Sequence, residues 1–174
     1  MYPIASTTVG SGGTSTITFS SIPSTFTHLQ VRLFVQSGRG TYNIDDFFMR
    51  VNGDSGNNYT RHYLMGNPVA GAVSGNTVPD SGYRITDMGT STGGTYGASI
   101  VDILDYTNTN KNKTFRSLNG NDTNGSLSGF QGSVSLESGL WINTAAINSI
   151  TIASASGNLI TQYSTVQLYG ITTA

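Results

Sequence analysis

The sequence predicts an all-β fold, an antiparallel two-sheet β-sandwich of the jelly-roll type, and three observations carry that prediction. Apolar residues recur at every second position in short runs, the spacing that turns one face of a strand toward a core. Thr, Tyr and Val are plentiful, whereas Lys occurs only at 111 and 113 and Glu only at 137, so the residues that usually clothe exposed helix faces are missing. Clusters of Gly, Asn, Ser and Pro interrupt the runs at regular spacing, as turns between strands do.

Along the chain, Thr16-Ile17-Thr18-Phe19 alternates polar with apolar and stops before Ile22-Pro23. The clearest strand is Phe26 to Val35, with Leu29, Val31, Leu33 and Val35 on one side and His28, Gln30, Arg32 and Phe34 on the other. Asp46 to Val51 and Tyr59 to Met65 flank the turn cluster Asn52 to Asn58 and read as a hairpin with a looped tip. Gly66 to Gly94 reads as a long ordered loop or arm, in which only Tyr83-Arg84-Ile85 is strand-like. Tyr96 to Tyr106 is apolar on both faces (Ile100 and Leu104; Val101 and Ile103), which makes it a central strand, and Lys113 to Leu118 pairs with it across Thr107 to Asn112. Leu127 to Leu136 alternates weakly, with Phe130, Val134 and Leu136 on one face. Ile147 to Ala153 alternates through Ile150 and Ile152. Gln162 to Ile171 closes the chain, Val166 and Leu168 opposite Tyr163 and Tyr169. No amphipathic helix with a cap is present, and Thr144-Ala145-Ala146 reads as a single turn. About eight to ten strands fit the eight-stranded jelly roll better than the seven-stranded immunoglobulin sandwich.

The 174 residues fit one domain, 1–174, with an N-terminal arm at about 1–13 and the loop or arm at about 66–94. Charged residues are 10% of the chain and the net charge is -1, with no basic stripe, so binding to nucleic acid through phosphates is not expected. The absence of Cys rules out disulfides and thiolate metal sites. The first residues lack the basic and apolar regions of a secretion leader, and no apolar run reaches the ~18 residues of a membrane helix. A low-charge exterior of hydroxyls and amides points to a surface that meets other protein.

Few residues are candidates for chemistry. His28 and His62 are the two bases of a hydrolase reading, but no Gly-x-Ser-x-Gly elbow or helical His pair accompanies them, and both read as hydrogen-bonding strand residues. Asp45, Asp46, Asp102, Asp105 and Glu137 form no evident acid pair; Asp102 and Asp105, three apart on a strand, face opposite sides. The loops 52–57 and 119–125 each carry one Asp, too few for calcium, and read as turns. Phe19, Phe130 and Trp141 read as core. Tyr2, Tyr42, Tyr83 and Tyr96 lie in loop-like context and, with Pro3 and Ile4 of the arm, are the candidate partner-binding residues, since Tyr favours protein contacts. No catalytic, cofactor or metal residue is assigned.

Several segments resemble a group of tailed-phage virion proteins: Ile4 to Val9 followed by Ser15 to Phe19; Ile22 to Arg32; Arg50 to Tyr59; Asp102 to Tyr106 with Lys113-Thr114; Gly139-Leu140-Trp141 with Ala145-Ala146-Ile147; and Tyr163-Ser164 with Leu168 to Ile171. The resemblance spans most of the chain except 66–94. It implies a jelly-roll-like module displayed on the virion, without a catalytic residue to carry over. The expectation is a structural protein and no enzyme: a capsid decoration (cement) protein made in the host cytoplasm and held on the capsid exterior. Its partners would be the major capsid protein and itself, as a homotrimer, with no nucleic acid, membrane or cofactor. The alternative is a receptor- or glycan-binding domain of a tail or fibre.

Overall fold

The computed structural model describes residues 1–67, 71–122 and 132–172. Among these there is no helix and there are twelve strands: β1 (Tyr2–Thr8), β2 (Thr16–Phe19), β3 (His28–Ser37), β4 (Ile44–Val51), β5 (Tyr59–Asn67), β6 (Gly71–Asp80), β7 (Tyr83–Thr90), β8 (Gly97–Leu104), β9 (Lys113–Asp122), β10 (Gly132–Trp141), β11 (Ile150–Ser154) and β12 (Thr165–Ile171). They join in one large, mixed, mostly antiparallel sheet in the order β2-β11-β4-β7-β3-β8-β9-β10-β5-β6, with β12 along β3 and β1 outside β12. The parallel link between β7 and β3 is short: Gln36 faces Gly89 and Ser37 faces Thr90.

Alternation decides the core. Leu29, Val31 and Val35 of β3, Val101 and Ile103 of β8, Phe115 of β9, and Val166 and Leu168 of β12 all turn inward. There they meet Phe47, Met49 and Val51 of β4, Ile85 of β7, and Ile150 and Ile152 of β11. Tyr83 on β7 crosses to β9 and β10, its ring 5.1 Å from that of Phe115 and its hydroxyl 2.8 Å from Ser117 Oγ. Gly139 makes room for it: a Cβ there would sit 2.3 Å from the Tyr83 ring. At the same end, Trp141 Nε1 donates to Asp54 Oδ2 (2.7 Å), and buried Lys113 donates to the carbonyls of Asn108, Lys111 and Thr144. Burial lowers the Lys113 pKa, and those carbonyls compensate its ammonium.

Several expectations need correction. Asn52 and Gly53 both have positive φ (53° and 69°), the hairpin-turn conformation, yet β4 and β5 do not pair. The Asp54 carboxylate accepts from Gly56 N, Asn58 Nδ2 and Trp141 Nε1, and a second bend sends β5 to β6 and β10 while β4 lies between β7 and β11. Burial opposes that carboxylate, but these hydrogen bonds prevail and hold its pKa below the ordinary value. The described residues of the expected loop or arm at 66–94 contain β6 and β7, and residues 2–8 of the expected arm are an edge strand on β12. Thr144 to Ala146 forms no helical turn. Lys113 to Leu118 does pair with β8, which is central as expected, between β3 and β9. Phe130 lies outside the described residues.

Candidate functional site

The side of the sheet turned away from the core is ordered in rows, because register places every second residue of neighbouring strands in line. One row runs Arg32, Ile100, Leu118, Leu136, Leu64, Ser74 across β3, β8, β9, β10, β5 and β6. The next runs Phe34, Ala98, Gly120, Val134, Gly66, Ala72. On the other flank the row is polar: Gln30, Asp102, Arg116, Ser138, His62, Asn76. The large apolar members are open to solvent: Leu64 is 56% exposed, Leu118 54%, Val134 61% and Leu136 54%. A shallow depression of about 440 Å³ follows the rows between Arg32, Ala98, Ile100, Leu118, Gly120 and Val134.

Behind these rows, the inner side of β9 and β10 is largely polar and joins Ser99 of β8. Ser99 Oγ donates to Asn119 Oδ1 (2.6 Å), Asn119 Nδ2 to Ser135 Oγ (3.0 Å), and Ser135 Oγ to Glu137 Oε1 (3.1 Å). Thr86 of β7 donates to the same Glu137 oxygen, and the Arg61 guanidinium stands 3.6 Å away. Ser133 Oγ donates to Asp87 Oδ2 (2.9 Å), and the Asp87 amide to Asp46 Oδ1 (3.1 Å). Burial raises the pKa of both Glu137 and Asp87. Buried polar groups require such partners, so this network holds β7 to β9 and β10 where apolar contact would ordinarily do so.

The sequence-predicted partner residues are scattered. Tyr2 is exposed and stacked near Phe26, with Pro3 and Ile4 beside it on β1. Tyr42 is exposed under the Arg39 guanidinium, 4.0 Å from its ring centroid. Tyr96 is half-buried: it stacks on Phe34 at 5.0 Å and donates to Gln162 O (2.7 Å), which puts it beside the apolar rows. Tyr83 is fully buried, so its assignment as a contact residue is corrected: a ring packed under β10 cannot reach a partner.

The bases and acids are also dispersed. His28 Nδ1 accepts from the Asp105 amide (2.9 Å), whereas His62 lies in the outer polar row. Asp45 accepts from Ser154 and Ser156 (both 2.7 Å), and Asp102 from Gln30 (2.9 Å). Among the described residues no group of three His, Asp or Glu could hold a metal ion. Sequence reasoning missed the outer apolar rows. Their signal was present in β9 and β10, where Ser117, Asn119, Ser133, Ser135 and Glu137 alternate with Leu118, Val134 and Leu136. No family model, curated protein or solved structure matches the chain.

Proposed function

We propose that this chain acts by assembly, as a tailed-phage capsid decoration (cement) protein that stabilises the head by bridging capsid subunits as a homotrimer or similar cyclic oligomer. One observation carries the reading: a broad apolar sheet face left open to solvent on a chain with few charges. The patch lies at the upper end of what monomeric proteins expose, and subunits of particles cover theirs. Membership of a virion rests on the segment resemblance, whose motifs coincide with strand cores and turns. Each subunit would make modest contacts, and the oligomer would touch several capsid subunits at once, so multivalency gives durable attachment.

We further propose that the fold is a jelly-roll-like sandwich in which the β2-β11-β4-β7 half stacks on the remainder. Its support is the brief β7–β3 link and the Tyr83, Thr86 and Asp87 side chains that reach across to β9 and β10.

Localisation and copy number on intact particles test the function. Hundreds of copies over the head are expected. A few copies at the tail would replace the reading with a receptor- or glycan-binding fibre domain, and absence from the particle would overturn it.

A further inference from the structure

We infer that the outer face of β3-β8-β9-β10-β5 is where a second copy of this chain docks, the aliphatic row of one copy lying in the small-residue row of the other. This deepens the proposed function and rests on its reading of the chain as an assembling subunit.

The face is self-complementary by register. Ile100, Leu118, Leu136 and Leu64 form a ridge; two residues along the same strands, Ala98, Gly120 and Gly66 form a furrow that Val134 of β10 interrupts. A rotation axis parallel to the rows preserves position along them. Two copies so related bring Leu118 over Gly120, Ile100 over Ala98 and Leu64 over Gly66, with Leu136 against Val134 on β10, and each pair occurs twice about a two-fold axis. The same operation sets Arg32 over the exposed ring of Phe34, a favourable cation–π placement. Stacked sheet faces pack about 10 Å apart, a spacing that interdigitated side chains of this size fill.

The area is sufficient. Phe34, Leu64, Ile100, Leu118, Val134 and Leu136 are each about half exposed, together roughly 600 Å² of apolar surface, at the top of the ~300–600 Å² that the largest patch of a monomer spans. Doubled across two copies it reaches the about 1,200 Å² at which specific interfaces begin. Few charges oppose the contact: Asp102 and Arg116 face each other in the polar row, which would form the rim. A capsid surface would need no such match between ridge and furrow on one face.

Sedimentation velocity over a dilution series tests this, together with cross-linking. The chain has no Cys, so engineered thiols report without background. The wild type should sediment as an oligomer. Leu118→Asp, on an exposed position, should sediment as a monomer with an unchanged β-type circular dichroism spectrum. A mixture of Leu118→Cys and Gly120→Cys chains should, with a short bismaleimide that spans the gap between stacked sheets, give a mixed cross-linked dimer in higher yield than a mixture of Leu118→Cys with Tyr42→Cys. A wild-type monomer, an oligomeric Leu118→Asp chain or equal cross-linking in the two mixtures would overturn the inference. If Leu118→Asp does not fold, the cross-linking comparison decides alone. Particle localisation is independent: a monomer found in many copies on the head defeats this contact and the oligomer but leaves capsid decoration standing, whereas an oligomer absent from particles does the reverse.

Discussion

β3 and β10 lie in one sheet, separated by β8 and β9, yet they wear their chemistry on opposite sides. β3 turns Leu29, Val31, Leu33 and Val35 into the core and leaves Gln30 and Arg32 outside. β10 turns Ser133, Ser135 and Glu137 inward and leaves Val134 and Leu136 outside. Strict alternation therefore identifies a strand without identifying its buried side. What decides the side is the facing element and the register. The end of β10 is pinned by Trp141 against Asp54, and Trp141 lies opposite Lys113, itself fixed by three carbonyls. A one-residue slip would bury Leu136 but expel Trp141, since all side chains change faces together.

Breaking the apolar end of β9 should have the largest effect. Phe115 is fully buried against Tyr83, and Phe115→Ala should cost about 3–5 kcal/mol from lost transfer and the cavity left behind. Urea unfolding measures it. Four residues along the same inner face, Asn119 links Ser99 to Ser135. Asn119→Ala should cost less, about 1–3 kcal/mol, because it strands the Ser99 hydroxyl and removes a donor to Ser135 without opening a large void. A larger loss for Asn119 than for Phe115 would mean that the polar half, not the apolar half, holds the sheet together.

The polar half should also carry a pH signature. Burial raises the Glu137 pKa above its ordinary 4.5, so the folded state keeps a proton that the unfolded state releases. Its contribution is then fully present below pH 4.5 and is lost as pH rises through the folded value. Glu137→Gln retains an oxygen to accept from Thr86 and Ser135 and removes the titration. The melting temperature of the variant should therefore gain on the wild type as pH rises above 4.5. Asp87 shifts in the same direction and retains some slope in the variant. An unchanged difference across that range would show that Glu137 is not held protonated by its surroundings.

The strand cores were legible in the sequence because alternation against Gly and Asn turns is a local signal; β3, β8, β11 and β12 follow it closely. Three features were not. β6 and β7 were concealed by Gly75, Gly82, Gly89 and Pro79, residues that weaken a strand pattern but that here sit at close approaches and bends. The separation of β4 from β5 depends on Asp54 capturing Trp141, a contact across 87 residues. The exposed face was mistaken in β8 for a second buried one, since Ile100 reads the same under solvent as under another strand. Tyr83 failed as a contact residue for a related reason: its flanking Gly82 suggests a loop, and only Gly139 on a distant strand shows where its ring goes.

The smallest effect should come from the outer row itself. Leu136 is 54% exposed, and its neighbours Leu118 and Leu64 are as open as it is. Leu136→Thr keeps a branched side chain on a strand and removes surface that the isolated chain never withdraws from water. Measured at dilutions where the chain is monomeric, its stability should lie within about 0.5 kcal/mol of the wild type. At concentrations where copies associate, the same change should lower the melting temperature, because association stabilises the folded state by mass action. A loss that is equally large in both regimes would place Leu136 within the fold's own packing and return β10 to the pattern of β3.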